Sequence, residues 1–373
     1  MRRLLLLSGS IVFVDTVFFA ALTPLLPHYA DRFELSKAGA GVLAAAYPAG
    51  VLVGALPSGV AAVHFGVKRT AVAALTIMAG TTIAFGFAGS IVVLDSARFA
   101  QGVASASAWT ASLAWLLAAA PRERRGEMIG TALAVAIVGA LFGPVLGGVA
   151  SVTSTRAAFS VVGAGALALA VWALVTNAPP PRRGQSLVLV WRSLHEPRIV
   201  AGIWLVALPA LMFGTLSVLA PLRLSGLGFG AVAIGAVYLV SAGFEAAAAP
   251  FLGRVSDRRG RRLPIVIGLI ASAAVTTVLP WPPWGALLAV IVITAGTCFG
   301  MFWVPAMSLL TDTAEALGLD HAMALALVSL AWAPGQAVGA AAGGALARAS
   351  SDAVPYLMLA AACLLTLVAV RRR

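Results

Sequence analysis

From Leu4 to Val370 one apolar stretch of about 20 residues follows another, each long enough to cross a ~30 Å hydrocarbon core. A soluble fold has no interior large enough to hide such a succession. Hydrophobic residues make up 61% of the 373 and charged residues 10%, against roughly 45–50% apolar residues in soluble domains. The expected fold class is therefore an all-α integral membrane protein, with the lipid bilayer as solvent and partner for most of the chain.

Charge, Pro and Gly clusters break the apolar runs into twelve expected helices: 4–27, 40–62, 70–88, 91–119, 129–150, 157–177, 199–221, 231–252, 263–280, 285–310, 322–346 and 354–370. An even number places both termini on one side. That side collects Arg2, Arg3, Lys68, Arg69, Arg122, Arg124, Arg125, Arg182, Arg183, Arg192, Arg198, Arg254, Arg258, Arg259, Arg261, Arg262 and Arg371 to Arg373. The other side holds only Arg32, Lys37, Arg156, Arg223 and Arg348. Basic residues mark the cytoplasmic face, so the expectation is a multi-pass protein of the cell (inner) membrane with both termini inside. Met1-Arg2-Arg3 runs straight into an apolar span without a small-residue cleavage site, which reads as a retained first helix.

A net charge of +12 does not imply nucleic acid, because these arginines sit between spans and not on a basic face of a soluble domain. Cys298 and Cys363 fall inside apolar spans and read as small buried side chains, so no metal and no cofactor is expected. A membrane enzyme would need an H-E-x-x-H run, paired carboxylates or a nucleophile with its base, and ATP-driven pumping would need a Walker glycine loop. The sequence contains none of these.

The longest interruption carries Pro179-Pro180-Pro181 and Arg182-Arg183. It divides the chain into an N-terminal six-helix half, 1–177, a cytoplasmic linker, 178–198, and a C-terminal six-helix half, 199–373. The halves repeat each other. Gly59-x3-Val63-His64-Phe65-Gly66-Val67-Lys68-Arg69 recurs 194 residues later as Gly253-x3-Asp257-Arg258-Arg259-Gly260-Arg261-Arg262. Gly139-x3-Gly143-x3-Gly147-Gly148 recurs 196 residues later as Gly335-x3-Gly339-x3-Gly343-Gly344. Two motifs at nearly one offset point to a parallel repeat of six-helix bundles, an architecture of secondary transporters.

On these residues the whole chain resembles the major facilitator superfamily, and within it the drug:proton antiporter branch. Gly253, Asp257, Arg258, Gly260, Arg261 and Arg262 match the family's cytoplasmic gating-loop signature, whereas the first copy has Val63 at the acidic position. Arg98-x2-Gln101-Gly102 is similar to the helix 4 motif, and Gly139, Gly143, Pro144, Gly147 and Gly148 to the antiporter motif of exporters. Asp15-x8-Pro24-x2-Pro27 resembles helix 1 of amine and multidrug exporters. The resemblance implies a loop that latches the cytoplasmic face, a kinked helix 5 that favours outward transport, and alternating access between the halves. The residues alone also allow plainer roles: arginines that fix topology, and glycines that let helices pack closely.

A charge at mid-bilayer costs roughly 2.5–3.5 kcal/mol or more, so ionisable residues inside spans are functional candidates. These are Asp15, Arg98 and Glu245. Asp15 lies ~17 Å into helix 1 from the cytoplasmic edge and Arg98 ~10 Å into helix 4 from the outer edge, depths that nearly coincide and allow them to pair. Asp15 is then either a proton-coupling or cation-binding group, or a structural carboxylate held by Arg98. Glu245 is either a proton carrier or a packing residue, while Asp95 and Asp312 lie near span ends and face water. Phe18, Tyr47, Gln101, Trp109, Tyr238, Trp303, Trp332 and Gln336 are candidate cavity-lining residues, whose rings suit an amphipathic cation.

The function expected is a monomeric, proton-coupled exporter of small hydrophobic or cationic compounds. The same fold serves a sugar or amino-acid type metabolite exporter or a proton symporter equally well. A channel is disfavoured by the two-half repeat.

Overall fold

In a computed structural model, twelve helices account for nearly all of the residues it describes, which are 2–119, 125–178, 192–319 and 321–372. They are α1 (Arg2–Arg32), α2 (Lys37–His64), α3 (Val67–Gly86), α4 (Ile91–Ala119), α5 (Arg125–Val152), α6 (Thr155–Val175), α7 (Pro197–Gly226), α8 (Ala231–Arg259), α9 (Arg262–Val278), α10 (Gly285–Ala316), α11 (His321–Ala349) and α12 (Ala353–Arg372). Ten are apolar and long enough to cross a membrane, and α9 is a shorter apolar helix. Most of the expected linker, and with it Arg182 and Arg183, lies outside the described residues, as do Arg122, Arg124 and Arg373.

Several helices exceed the apolar windows at one or both ends. α1 continues to Arg32 because Tyr29 and Ala30 still find buried positions, and Pro24 and Pro27 are accommodated within it. The tight turns fall where glycine adopts a left-handed backbone. Gly66 (φ 85°) joins α2 to α3 and Gly260 (φ 81°) joins α8 to α9, so the two copies of the loop motif make the same turn. Ser154 caps α6 by accepting from the Ala157 amide at 3.3 Å.

The chain divides into two compact units. The first comprises Met1–Leu22 and Ala46–Gly184, the second Thr23–Ala45 and Gln185–Arg373. In the first, α3 packs on α4 and α6. Leu7, Ile11, Leu75, Met78, Trp115 and Leu116 form its core. Phe18, Phe85 and Phe159 meet edge to face, with centroids 5.0–5.6 Å apart, and tie α1, α3 and α6 together. α5 closes on α1 through its glycines: a Cβ at Gly139 would lie 2.8 Å from the Phe13 carbonyl oxygen, and one at Gly143 2.8 Å from that of Val17.

The second unit repeats these partnerships. α9 packs on α10 and α12 as α3 does on α4 and α6, and α11 closes on α7 as α5 does on α1. A Cβ at Gly335 would lie 2.6 Å from the Ala207 carbonyl oxygen, and Gly339 is pressed against Leu211. With Ala340 in place of a proline, α11 keeps the contact face of α5 without Pro144, its in-helix proline being Pro334.

Ion pairs and capping side chains secure the helix ends. Lys37 Nζ meets Asp352 Oδ1 at 2.5 Å. Arg223 donates to the carbonyls of Pro280 and Pro282, pinning the loop between α9 and α10 to the end of α7.

Candidate functional site

Asp15 stands on α1 with 3% of its surface exposed, and three side chains donate to its carboxyl group. The Tyr47 hydroxyl reaches Oδ1 at 2.8 Å, and Ser105 Oγ and Trp109 Nε1 reach Oδ2 at 2.9 and 2.7 Å. All three donors are neutral. Ser105 and Trp109 are one turn apart on α4, and Tyr47 comes from α2.

The position of Tyr47 follows from glycine. A Cβ at Gly102 would run into the Tyr47 carbonyl oxygen, and one at Gly50 into that of Phe99, so α2 and α4 touch backbone to backbone at this level. The close approach carries the Tyr47 side chain to Asp15.

Arg98 is 1% exposed and donates to the carbonyls of Phe18 and Phe19, at 3.3 and 3.1 Å. Its guanidinium carbon lies 4.9 Å from the Tyr47 ring centre, 5.2 Å from Phe18 and 5.7 Å from Phe85, an aromatic cage that stabilises a desolvated cation. Asp15 and Arg98 thus enter one cluster, and Tyr47 joins them, its hydroxyl on the acid and its ring against the base. The two residues, whose depths allow them to pair, are bridged by Tyr47, and α1 also presents its carbonyls at Phe18 and Phe19 to the guanidinium.

The chemistry of the cluster follows from its donors. A proton arriving on Oδ2 takes one of the two lone pairs to which Ser105 and Trp109 donate. The Ser105 hydroxyl can turn from donor to acceptor, but an indole N–H can only donate. A protonated Oδ2 can therefore give its hydrogen to Ser105 while its remaining lone pair still accepts from Trp109. Gln101, one turn before Ser105, is fully buried.

The other candidates lie apart in the second unit. Glu245 on α8 is partly buried and packs against Gly300 of α10, where a Cβ would come within 2.7 Å of Cγ and 2.9 Å of Oε1. One turn earlier, Ser241 fits against Gly296 in the same way. The Tyr238 hydroxyl donates to the Leu216 carbonyl at 3.0 Å, and Gln336 is buried on α11 with its backbone against Gly214. Trp303 and Trp332 are half-buried on α10 and α11.

In the loop motif, Gly260 makes the turn and Arg258 is exposed, while the Asp257 side chain and the surroundings of Gly253 lie outside the described residues. Arg261 pairs with Asp312 near the end of α10. Arg262 donates to the carbonyls of Val370 and Arg371, at 2.8 and 2.9 Å, and caps the C-terminal end of α12, where a cation also meets the negative pole of the helix. Asp312, expected near a span end and facing water, has a side chain that is 58% exposed and also engages the loop motif.

Sequence reasoning missed Ser105 and the role of Asp312. For Ser105 a signal existed, since it lies seven residues after Arg98 and four before Trp109, on one face of one helix. For Asp312 there was none, because its partner is some fifty residues away along the chain.

The Major Facilitator Superfamily model matches residues 9–319 and 244–373. An MFS-type transporter, ppzB, of Metarhizium rileyi (strain RCEF 4871) is 33% identical over 153 residues, which are 37% of this chain and 30% of that protein. The counterpart in Metarhizium majus (strain ARSEF 297) is 33% identical over the same length. The alignments thus cover less than a third of these curated relatives' length. Among solved structures, the fold is similar to the E. coli xylose transporter XylE in a partially occluded inward-open conformation, with TM-score 0.78, 16% identity, and coverage of 99% of this chain and 97% of that one. A bacterial homologue of the human lysosomal transporter Spinster gives TM-score 0.77 at 16% identity, covering 98% and 94% of the two chains. A mutant of the nucleoside transporter NupG gives 0.76 at 13%, covering 99% of each. With its two six-helix repeats and ten apolar spans, the chain is a multi-pass membrane protein and belongs to the Major Facilitator Superfamily of secondary transporters.

Proposed function

We propose that the protein is a proton-coupled exporter of small hydrophobic or cationic compounds, working by alternating access between halves 1–177 and 199–373, with both termini cytoplasmic in the cell membrane. The observation that carries this reading is the Asp15 carboxyl group, buried within a span and hydrogen-bonded by the neutral donors Tyr47, Ser105 and Trp109. A group desolvated there at a cost of several kcal/mol is retained for a purpose, and a carboxyl whose partners can rearrange suits a proton or a substrate cation. Rings beside it suit an apolar or cationic guest. The turn at Gly260 and the anchors of Arg261 and Arg262 support a gating role for the loop motif, in which Asp257 biases the exchange between conformations.

A second reading is metabolite export or proton symport. It draws on the names of two proteins of the same fold, a xylose transporter and a nucleoside transporter. Flux of a panel of lipophilic cations, neutral drugs, sugars, nucleosides and amino acids in proteoliposomes, with and without an imposed pH gradient, separates the readings. Gradient-driven movement of cations or neutral drugs supports export; movement of sugars or nucleosides alone overturns it.

A further inference from the structure

Gln101 is fully buried, yet neither its amide oxygen nor its amide nitrogen has a hydrogen-bond partner among the described residues. Leaving buried polar atoms dry costs about 1–3 kcal/mol each. Such groups are ordinarily satisfied by ordered water with two to four polar partners. Two more side chains of the same helix share the condition: the buried Oδ1 of Asp95 and Oγ of Ser112.

At 3.6 residues per turn, Asp95, Arg98, Gln101, Ser105, Trp109 and Ser112 fall within an arc of about 120°. One face of α4 is therefore polar along most of its length, beside the apolar core cluster of the first unit. Gln101 stands ~6 Å from Ser105 along the axis, and Asp95 ~9 Å from Gln101. Each is a length that one or two hydrogen-bonded water molecules span. Ser105 closes the series on Asp15 Oδ2 at 2.9 Å.

We propose that Gln101 holds water molecules linking the Asp95 end of α4 to Ser105, and that Asp15 gains its proton along this file. The inference rests on the reading of Asp15 as a titrating carboxyl. In the inward step, a proton passes from water at Asp95 to water at Gln101 and on to Ser105 Oγ, as the Ser105 hydroxyl proton moves to Asp15 Oδ2. Ser105 ends as it began, and Asp15 ends neutral.

Tyr47 from α2 and Arg98 from α4 are the titratable and charged groups against Asp15. While Asp15 is ionised, its charge offsets that of Arg98, and a proton in the file meets no net repulsion from the two. Once Asp15 is protonated, it no longer offsets the Arg98 charge, which then disfavours a second proton in the file. The file then delivers one proton per cycle. Gln101 is a positioning residue, acting through the water it holds.

A substrate-free experiment tests this. Purified protein in liposomes is given a rapid pH step, and the Asp15 carboxyl band is followed by time-resolved infrared spectroscopy, assigned by its loss in Asp15→Asn. In Gln101→Leu the band reaches its full amplitude, but about ten-fold or more slowly. Gln101→Ser, which keeps a water-binding atom, restores most of the rate. If Gln101→Leu fails to fold, Gln101→Met takes its place. A Gln101→Leu rate equal to that of the parent, or a loss of amplitude in place of a delay, overturns the file and leaves the Asp15 reading intact. If no pH-dependent carboxyl band is lost in Asp15→Asn, Asp15 does not titrate, and both readings fall.

Discussion

Trp109 Nε1 donates to Asp15 Oδ2 across 2.7 Å, the shortest of the three bonds on that carboxyl group. Trp109→Phe keeps a ring of similar bulk and removes the one donor that cannot reverse its role. A hydrogen bond to a charged group contributes about 1.5–3 kcal/mol, so gradient-driven transport in this variant falls roughly ten- to hundred-fold while the protein remains folded. Flux at parental level, with expression matched, would show that the indole is a packing residue.

Asp15→Asn keeps the shape of the side chain and removes its titration. Proton-driven uptake into inverted vesicles falls to background, while size-exclusion profiles in detergent match those of the parent, since an amide still accepts from Tyr47, Ser105 or Trp109. Full proton-driven uptake by this variant assigns the carboxylate a structural role and moves coupling to Glu245, for which Glu245→Gln is the paired measurement.

Gly102→Ala places a methyl group against the Tyr47 carbonyl. Backbone cannot yield as a side-chain tip can, so α2 and α4 must separate, at a cost of about 1–3 kcal/mol. Because the same movement withdraws the Tyr47 hydroxyl from Asp15, transport falls further than thermal stability does. A Tm and a flux that decline in proportion would mean that the contact serves packing alone.

Arg261 and Asp312 form a half-exposed pair at the loop motif. Such pairs contribute about 0–1 kcal/mol to stability, so Arg261→Ala and Asp312→Ala each change Tm little. If the pair acts on the conformational cycle, each slows transport and the double variant is no slower than the worse single one. Additive losses in that double-mutant cycle would separate the two residues.

Much of the helical plan was legible because membrane spans write themselves in long apolar runs, and because the glycines at 139, 143, 335 and 339 keep their spacing in both halves. Helix ends were less so: α1 extends to Arg32 on the burial of Tyr29 and Ala30, which hydropathy alone does not register. Asp15, Arg98, Tyr47 and Trp109 could be singled out by type, as charge and aromatic rings are conspicuous in an apolar span. How they connect was not readable. Whether Arg98 faces Asp15 or the carbonyls of Phe18 and Phe19 depends on helix rotation within a few tens of degrees, and a serine such as Ser105 carries too little contrast in a helix rich in alanine and serine to stand out.

Gly300 gives the Glu245 side chain its place on α8 simply by having no side chain of its own. A methyl group there would evict the carboxyl group, so Gly300→Ala relocates an acidic group without altering the inventory of ionisable residues. A scan of acidic and basic positions alone would pass over this residue, although its effect would register as electrostatics and not as bulk.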